Sequence, residues 1–190
     1  MVLIAIAVKL SSPGPVFYKQ ERVGIDRRQD RPGDPPHPRR KRDLGGRIFE
    51  IYKFRTMTHR PERNSEQVWA DADDPRVTAV GRILRTYRLD ELPQLFNVLR
   101  GDMNLVGPRP EQPEIFQALR EEVQDYQLRQ RVLPGITGLA QVHLKYDQCL
   151  DDVRRKVQLD LHYVDRESPL EDLRIMARTV PVVLFGKGSQ

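Results

Sequence analysis

The chain lacks the features that mark several common classes of protein. Cys149 is the single cysteine among 190 residues, so an internal disulfide is excluded, and no spacing of cysteine and the four histidines predicts a metal site. The apolar run at the start extends only from Met1 to Val8 before Lys9, whereas a membrane-spanning helix needs roughly 20 apolar residues. No charged region precedes this run, which disfavours a signal peptide. We therefore expect a reducing, cytoplasmic environment.

Positive charge is confined to one part of the sequence. The net charge is +5, and residues 27–47 hold eight Lys/Arg against three Asp, which leaves 24 charges of each sign elsewhere. This basic segment is open to several interpretations: a solvated loop, a patch for anionic lipid head groups, or a nucleic-acid-binding segment. Because it has no interleaved aromatic residues and matches no docking motif, nucleic-acid binding is the weaker alternative.

Local patterns predict an α/β fold that is rich in helix. Residues 16–24 and 47–57 carry aromatic and β-branched side chains in partial alternation, which indicates the two strands of a hairpin. Between them, residues 27–46 contain four prolines and almost no apolar side chain, which predicts a flexible insertion. Residues 1–15 are an apolar segment that ends in a Ser-Ser-Pro-Gly-Pro breaker, and residues 16–190 form the main domain.

Helical periodicity covers most of the chain after the hairpin. A first helix is indicated around Leu84. A second helix is expected to begin at Asp90 or Glu91, because Pro93 is tolerated only near a helix start, and to stop at Gly101. Beyond it we predict helices at 113–132, 149–168 and 170–186, with turns at 133–142 and an interruption at Pro181.

Two adjacent carboxylates, Asp90 and Glu91, stand at the predicted start of the second helix. The unpaired N–H groups and the dipole of a helix favour negative charge there, so we expect both acids to be ionised and a phosphate to be favoured nearby. Arg85 precedes the pair in the sequence and Arg109 follows it. Carboxylates and arginines together suit a diphosphate with Mg²⁺, and one carboxylate can attack phosphorus. The pair also fits an ordinary helix cap, so the local pattern leaves both interpretations open.

Five longer segments are more specific than any single short motif. They are SSPGPVFYKQERVG (11–24), IYKFRTM (51–57), DPRVTAVGRILRTYRLDELPQLFNVLRGDMNLVGPRP (74–110), RVLPGITGLAQV (131–142) and LDLHYVDRESPLEDLRIMARTV (159–180). In this order they resemble the bacterial sugar transferase family, the monotopic phosphoglycosyl transferases. The resemblance covers nearly the whole chain outside residues 27–46, and it favours the chemical interpretation of the acidic pair.

The resemblance implies a two-step reaction. Asp90 matches the nucleophile, which attacks a UDP-sugar, releases UMP and forms a phosphosugar-aspartyl intermediate. Polyprenyl (undecaprenyl) phosphate then accepts the sugar phosphate, which is the initiating step of exopolysaccharide or O-antigen synthesis. Glu91 matches the residue that binds the implied cofactor, Mg²⁺. Substrate or phosphate binding is implied for Lys53, Arg85, Arg109 and Asp160.

The resemblance also implies an architecture and a location. The implied fold is a compact α/β assembly of short strands, amphipathic interfacial helices and a re-entrant helix in the cytoplasmic leaflet of the inner membrane. Residues 1–15 resemble only the outgoing leg of that helix, which reaches about 15 Å into a hydrocarbon core of ~30 Å. An inactive, truncated scaffold is therefore a further alternative. Homo-oligomerisation is left open.

Overall fold

The computed structural model describes residues 1–26, 43–58, 74–144 and 149–184. Across these residues the fold is mixed α/β and rich in helix, as the sequence patterns predict. The elements, in chain order, are α1 (Val2–Ser11), β1 (Phe17–Val23), β2 (Ile48–Phe54), α2 (Ala79–Thr86), α3 (Gln94–Leu99), β3 (Asn104–Val106), α4 (Pro113–Glu122), β4 (Gly135–Thr137), α5 (Leu139–His143), α6 (Leu150–Arg166) and α7 (Pro169–Leu184). A 3-10 turn covers Leu89–Glu91, and a six-residue 3-10 helix covers Tyr126–Arg131.

Strands β1 and β2 form the antiparallel hairpin that the sequence predicts. Their register runs from Phe17 opposite Phe54 to Val23 opposite Ile48. Most of the insertion predicted between them, residues 27–42, lies outside the described residues. Its last part, residues 43–46, is packed on the fold, because both of its glycines are buried.

A second, parallel pair of strands was missed by the sequence patterns. Asn104 of β3 lies opposite Gly135 of β4, and Val106 lies opposite Thr137. Residues 133–142, predicted as turns, therefore contain β4 and the short helix α5. Three-residue strands show too little alternation to be recognised by period, and the glycine in β4 weakens the signal further.

The acidic pair is not in the first turn of an α-helix, which corrects the expected start of the second helix. Asp90 and Glu91 lie in a 3-10 turn, and α3 begins only at Gln94. Arg88 precedes the turn with a left-handed backbone, at φ 52°. Helix α3 stops where predicted, since Gly101 has φ +73°. The helix-dipole argument for the two acids therefore does not hold, and their ionisation must follow from their neighbours.

Helix α1 packs on the domain along one side only. Val8 is buried against Phe54 and Leu84, while Leu3 and Leu10 are more than four-fifths exposed. Its carboxyl end is held by Arg55, whose guanidinium donates hydrogen bonds to backbone carbonyls of residues 8, 12 and 13. Of the helices in the described ranges, none has the length and apolar character that crossing a membrane requires.

Helix α7 continues through Pro181, where the sequence predicts an interruption. The helix runs to Leu184 and so keeps only one turn beyond the proline. The proline removes one hydrogen bond and presses on the turn before it, and α7 tolerates both effects close to its carboxyl end. Ile175 anchors the helix in a core with Val106, Leu139 and Tyr163.

Candidate active site

Asn97 fixes the acidic turn against strand β2. This side chain of α3 is fully buried; its Nδ2 donates to the carbonyl of Glu50 at 2.7 Å, and its Oδ1 accepts from the N–H of Tyr52 at 3.2 Å. An amide that satisfies both backbone groups in this way locks the helix to the strand in one register. As a result, Lys53, the next residue of β2, is placed beside Glu91.

Glu91 is the centre of the ionic contacts. Its Oε1 accepts a hydrogen bond from Nζ of Lys53 at 2.8 Å and another from Nη2 of Arg109 at 2.7 Å. Burial alone would raise the pKa of Glu91, but the charges of Arg109 and Lys53 outweigh it and hold the pKa well below its ordinary value. Glu91 is therefore a fixed negative charge that holds two cations in place.

Asp90 is buried next to this centre and behaves differently. Burial raises its pKa above the ordinary value, opposed first by the charge of Lys53, while the charge of Glu91 raises it further. The charges of Arg109 and Arg85 also lower the pKa of Asp90, so all three predicted cations lie close enough to affect its ionisation. Two neighbouring carboxylates with opposite pKa shifts are typical of catalytic sites.

Arg85 is placed by a close approach of helix α2 to strand β2. Thr78 caps the helix by accepting a hydrogen bond from the N–H of Gly81 at 2.9 Å. Gly81 lies against the backbone of Thr56, and a Cβ at this glycine would overlap the carbonyl oxygen of Thr56. One turn later, Nε of Arg85 donates to Oγ1 of Thr56 at 3.0 Å. The glycine therefore allows the contact that orients the arginine.

We expect Gly81→Ala to lower both stability and activity. The methyl group forces α2 away from Thr56, which costs about 1–3 kcal/mol as overpacking and breaks the Arg85 contact. Thermal unfolding and a transferase assay would measure the two effects. Ala79→Gly is the matched control, because it costs at most about 1 kcal/mol of helix propensity at the first residue of α2 but adds no atom near Thr56. Equal activities of the two variants would contradict this assignment for Gly81.

Asp160 lies apart from the ionic contacts around Glu91. It is only 2% exposed on α6, and its Oδ2 lies 2.6 Å from Nη2 of Arg129. Of the residues predicted to take part in the site, the structure thus joins Lys53, Glu91 and Arg109 by direct contacts. The charges of these three residues act on Asp90, and so does the charge of Arg85.

Sequence reasoning missed Asn97 and Thr56, whose side chains contact strand β2 and Arg85, respectively. Thr56 lies in the segment IYKFRTM that carries the resemblance, but it follows the end of β2, so strand alternation does not single it out. Asn97 has no such signal either, because a polar residue within an apolar helical pattern ordinarily faces solvent.

The two carboxylates fit a magnesium ion only together with substrate. Within the described parts of the chain, no group of three or more His, Cys, Asp or Glu side chains forms a metal site. Mg²⁺ is commonly held by one or two carboxylates, and phosphate oxygens and waters complete its shell. Asp90 and Glu91 meet that requirement, although Glu91 would share its carboxylate with Lys53 and Arg109.

An open groove of about 490 Å³ lies elsewhere on the described surface, between α5 and α6. Its lining consists of Leu139, His143, Arg155, Gln158, Leu159 and His162. None of the residues predicted for the site lines this groove. The groove therefore does not indicate where a UDP-sugar would bind.

Glu111 is the acidic member of a second ionic cluster, directly after Arg109 and Pro110. Its Oε1 lies 3.0 Å from Nζ of Lys156 and 4.0 Å from Arg129, and Oε2 lies 3.9 Å from Arg22. Burial opposes ionisation, but the charges of Lys156 and Arg129 lower the pKa of Glu111 to about 2.

This lowered pKa predicts a pH-dependent effect of Glu111→Gln. The ionised carboxylate stabilises the fold in full above its ordinary pKa of 4.5, and that stabilisation is lost as pH falls toward 2. We expect wild type to exceed the variant by about 2–3 kcal/mol in unfolding free energy near pH 7. The difference should shrink below pH 4.5, as urea unfolding at several pH values would show. A difference that is constant with pH would contradict the ion pairing.

Comparison with protein families gives a match over almost the whole chain. The model described as "Bacterial sugar transferase" matches residues 1–186. This range includes every residue of the site described above.

Individual proteins of assigned activity are similar along the same length. The UDP-N-acetylgalactosamine-undecaprenyl-phosphate N-acetylgalactosaminephosphotransferase of Aeromonas hydrophila is 40% identical over 190 residues, which is all of this chain and 40% of that protein. The UDP-glucose:undecaprenyl-phosphate glucose-1-phosphate transferase of Caulobacter vibrioides is 40% identical over 97% of this chain and 62% of its own. The exopolysaccharide production protein ExoY of Sinorhizobium fredii is 34% identical over 99% of this chain and 78% of its own. The chain thus spans less than two thirds of the first two relatives.

Proposed function

Because the chain belongs to the bacterial sugar transferase family, we propose that it transfers a sugar phosphate from a UDP-sugar to polyprenyl (undecaprenyl) phosphate. Similar proteins are named for this transfer with GalNAc phosphate or glucose phosphate. The single observation that carries the proposal is the ionic centre. Glu91 holds Lys53 and Arg109 beside the buried carboxylate of Asp90.

In the first half of the reaction, the carboxylate of Asp90 attacks the phosphorus that bears the sugar. A bond forms between this oxygen and phosphorus, and the bond from phosphorus to the bridging oxygen of the diphosphate breaks, so UMP leaves with the electron pair. Lys53, Arg85 and Arg109 stabilise the charge that accumulates on the phosphate oxygens. In the second half, an oxygen of polyprenyl phosphate attacks the same phosphorus and frees Asp90.

Glu91 would hold Mg²⁺ together with the phosphate oxygens of the donor. When bound, the ion neutralises charge on the diphosphate and stabilises the leaving UMP. Without any ion, Glu91 already fixes the two cations that meet the phosphates. The protein's own contribution is thus a preorganised set of charges around Asp90.

Exposed apolar side chains support binding at a membrane interface, which we propose is the cytoplasmic face of the inner membrane. On α3, Leu95, Phe96 and Leu99 are 40%, 49% and 84% exposed, directly after the acidic turn. The outward side of α1 is also apolar, with Leu3 and Leu10 exposed. Helices with such faces bind at the lipid interface, where the acceptor's phosphate lies. This location and a re-entrant arrangement of α1 are part of the proposal.

A UMP-release assay with a panel of UDP-sugars, Mg²⁺ and undecaprenyl phosphate tests the function. We expect release with at least one donor, dependence on Mg²⁺, and transfer of the sugar phosphate to lipid. Duplex DNA binding that is salt-dependent, with no UMP release, would favour the nucleic-acid alternative. A folded, lipid-bound chain without release from any donor would favour an inactive scaffold.

A further inference from the structure

The turn formed by residues 108–110 places Arg109 beside Glu91, yet few backbone hydrogen bonds within the turn can stabilise it. Two of its three residues are prolines and lack a backbone N–H, so it cannot join a regular hydrogen-bond ladder. Its three carbonyl oxygens accept hydrogen bonds from outside the turn. They bond, in order, to the N–H of Gly135 at 3.0 Å, Nη2 of Arg129 at 3.0 Å and Nη1 of Arg22 at 3.4 Å. Two of the three supports are thus arginine side chains.

Arg129 supports the middle residue of the turn from inside the protein. Its side chain is fully buried, and Nη1 donates to the hydroxyl of Tyr126 at 2.8 Å. A buried guanidinium is costly unless an acid pairs with it. Asp160 supplies that acid at 2.6 Å, while Glu111 lies farther away at 4.0 Å. Asp160 therefore decides the direction in which the guanidinium is held.

We propose that Asp160 is a positioning residue that acts through Arg129 on Arg109. The sequence of contacts is Asp160 to the guanidinium of Arg129, that guanidinium to the carbonyl of Arg109, and the side chain of Arg109 to Glu91. The inference rests on the proposed function. It gives Asp160 a role other than the phosphate contact implied by the resemblance.

A direct phosphate contact fits the environment of Asp160 less well. The residue is 2% exposed and pairs with a cation that is itself fully buried. An ionised carboxylate also repels phosphate unless a metal lies between them. In contrast, loss of the Asp160 charge would draw the guanidinium of Arg129 toward Glu111. The carbonyl of Arg109 would then lose the partner that fixes it.

The test is a double-mutant cycle on the full chain, with Asp160→Asn and Arg109→Ala. We expect Asp160→Asn to lower kcat/KM for UMP release roughly tenfold, because small misplacements of a binding group are costly. In the Arg109→Ala background the same change should cost less than about threefold, because residues that act as a unit are not additive. Asp172→Asn is the matched control. It removes the carboxylate that accepts from Tyr163 at 2.7 Å and should leave the rate unchanged.

Hydrogen exchange of the peptide 107–112 gives a second readout that needs no activity. Exchange should accelerate in Asp160→Asn and not in Asp172→Asn. If Asp160→Asn does not fold, Arg129→Lys takes its place. This variant keeps the positive charge but loses the planar guanidinium that contacts Asp160 and the carbonyl of Arg109 together. Full additivity with Arg109→Ala, or unchanged exchange at 107–112, would overturn the proposal. If wild type releases no UMP, the proposed function fails, and the exchange comparison alone decides the positioning role.

Discussion

Asp90→Asn is expected to abolish UMP release while the protein stays folded. The amide has the shape of the carboxylate but cannot attack phosphorus, so the first half of the reaction stops. Removing a covalent nucleophile costs at least about a thousandfold in rate. Stability should not fall, because the raised pKa of Asp90 means that folding disfavours its ionised form. A neutral side chain at this position is expected to keep or raise the melting temperature.

Two measurements on Asp90→Asn separate loss of chemistry from loss of structure. Intact-mass spectrometry of wild type with donor and without acceptor should detect the added phosphosugar, which should be absent from the variant. Asp102→Asn is the matched control: Asp102 is also buried, but its partners are Arg47 and Arg100, each 3.4 Å away. We expect the control to lose stability and keep turnover. Turnover near that of wild type in Asp90→Asn would remove Asp90 from the role of nucleophile.

The parts of the fold that could be predicted are those with a clear local period or a strong breaker. The hairpin of β1 and β2 follows from alternation, and the stop of α3 follows from Gly101. The start of α3 could not be predicted, because Pro93 fits both a helix start and a 3-10 turn. The left-handed backbone of Arg88 leads into the 3-10 turn. An arginine gives no sign of this conformation in the sequence, because non-glycine residues rarely adopt it.

The resemblance supplies the candidate members of the site, but their contacts could not be predicted from the sequence. The resemblance names Lys53, Glu91 and Arg109, and the structure shows that they touch. Nothing local indicates that one oxygen of Glu91 accepts both cations, or that Asp160 pairs with Arg129, because both contacts join distant segments. Opposite pKa shifts in adjacent acids likewise depend on burial, which a sequence pattern shows only on average.

Glu91→Gln is expected to affect stability and catalysis together. The amide cannot compensate Lys53 and Arg109, which are 20% and 28% exposed. Breaking a fully buried pair costs about 3–5 kcal/mol, and partial exposure of the cations reduces this to about 2–3 kcal/mol. The wild-type advantage should be complete above the ordinary pKa of 4.5 and should decline gradually as pH falls below it, because the pKa of Glu91 is lowered in the folded state.

The catalytic loss in Glu91→Gln follows from the redistribution of charge around Asp90. When Glu91 is replaced by a neutral side chain, Asp90 is the acid of the pair that still attracts Lys53 and Arg109. The repulsion from Glu91, which raises the pKa of Asp90, is also lost. A carboxylate bound by two cations is a poorer nucleophile, and those cations are no longer held for the phosphates. We expect UMP release to fall by several hundredfold, roughly the size of losing one preorganised electrostatic group.

Glu50→Gln is the matched control for this variant. Glu50 lies on β2 three residues before Lys53 and pairs with Lys19 at 3.1 Å, but both side chains are about half exposed. An exposed pair is worth about 0–1 kcal/mol, so stability and turnover should hardly change. Raising Mg²⁺ then separates the two roles of Glu91. If Glu91 served only as a metal ligand, excess Mg²⁺ would restore the rate of Glu91→Gln; we expect the defect to persist, because the two cations stay misplaced.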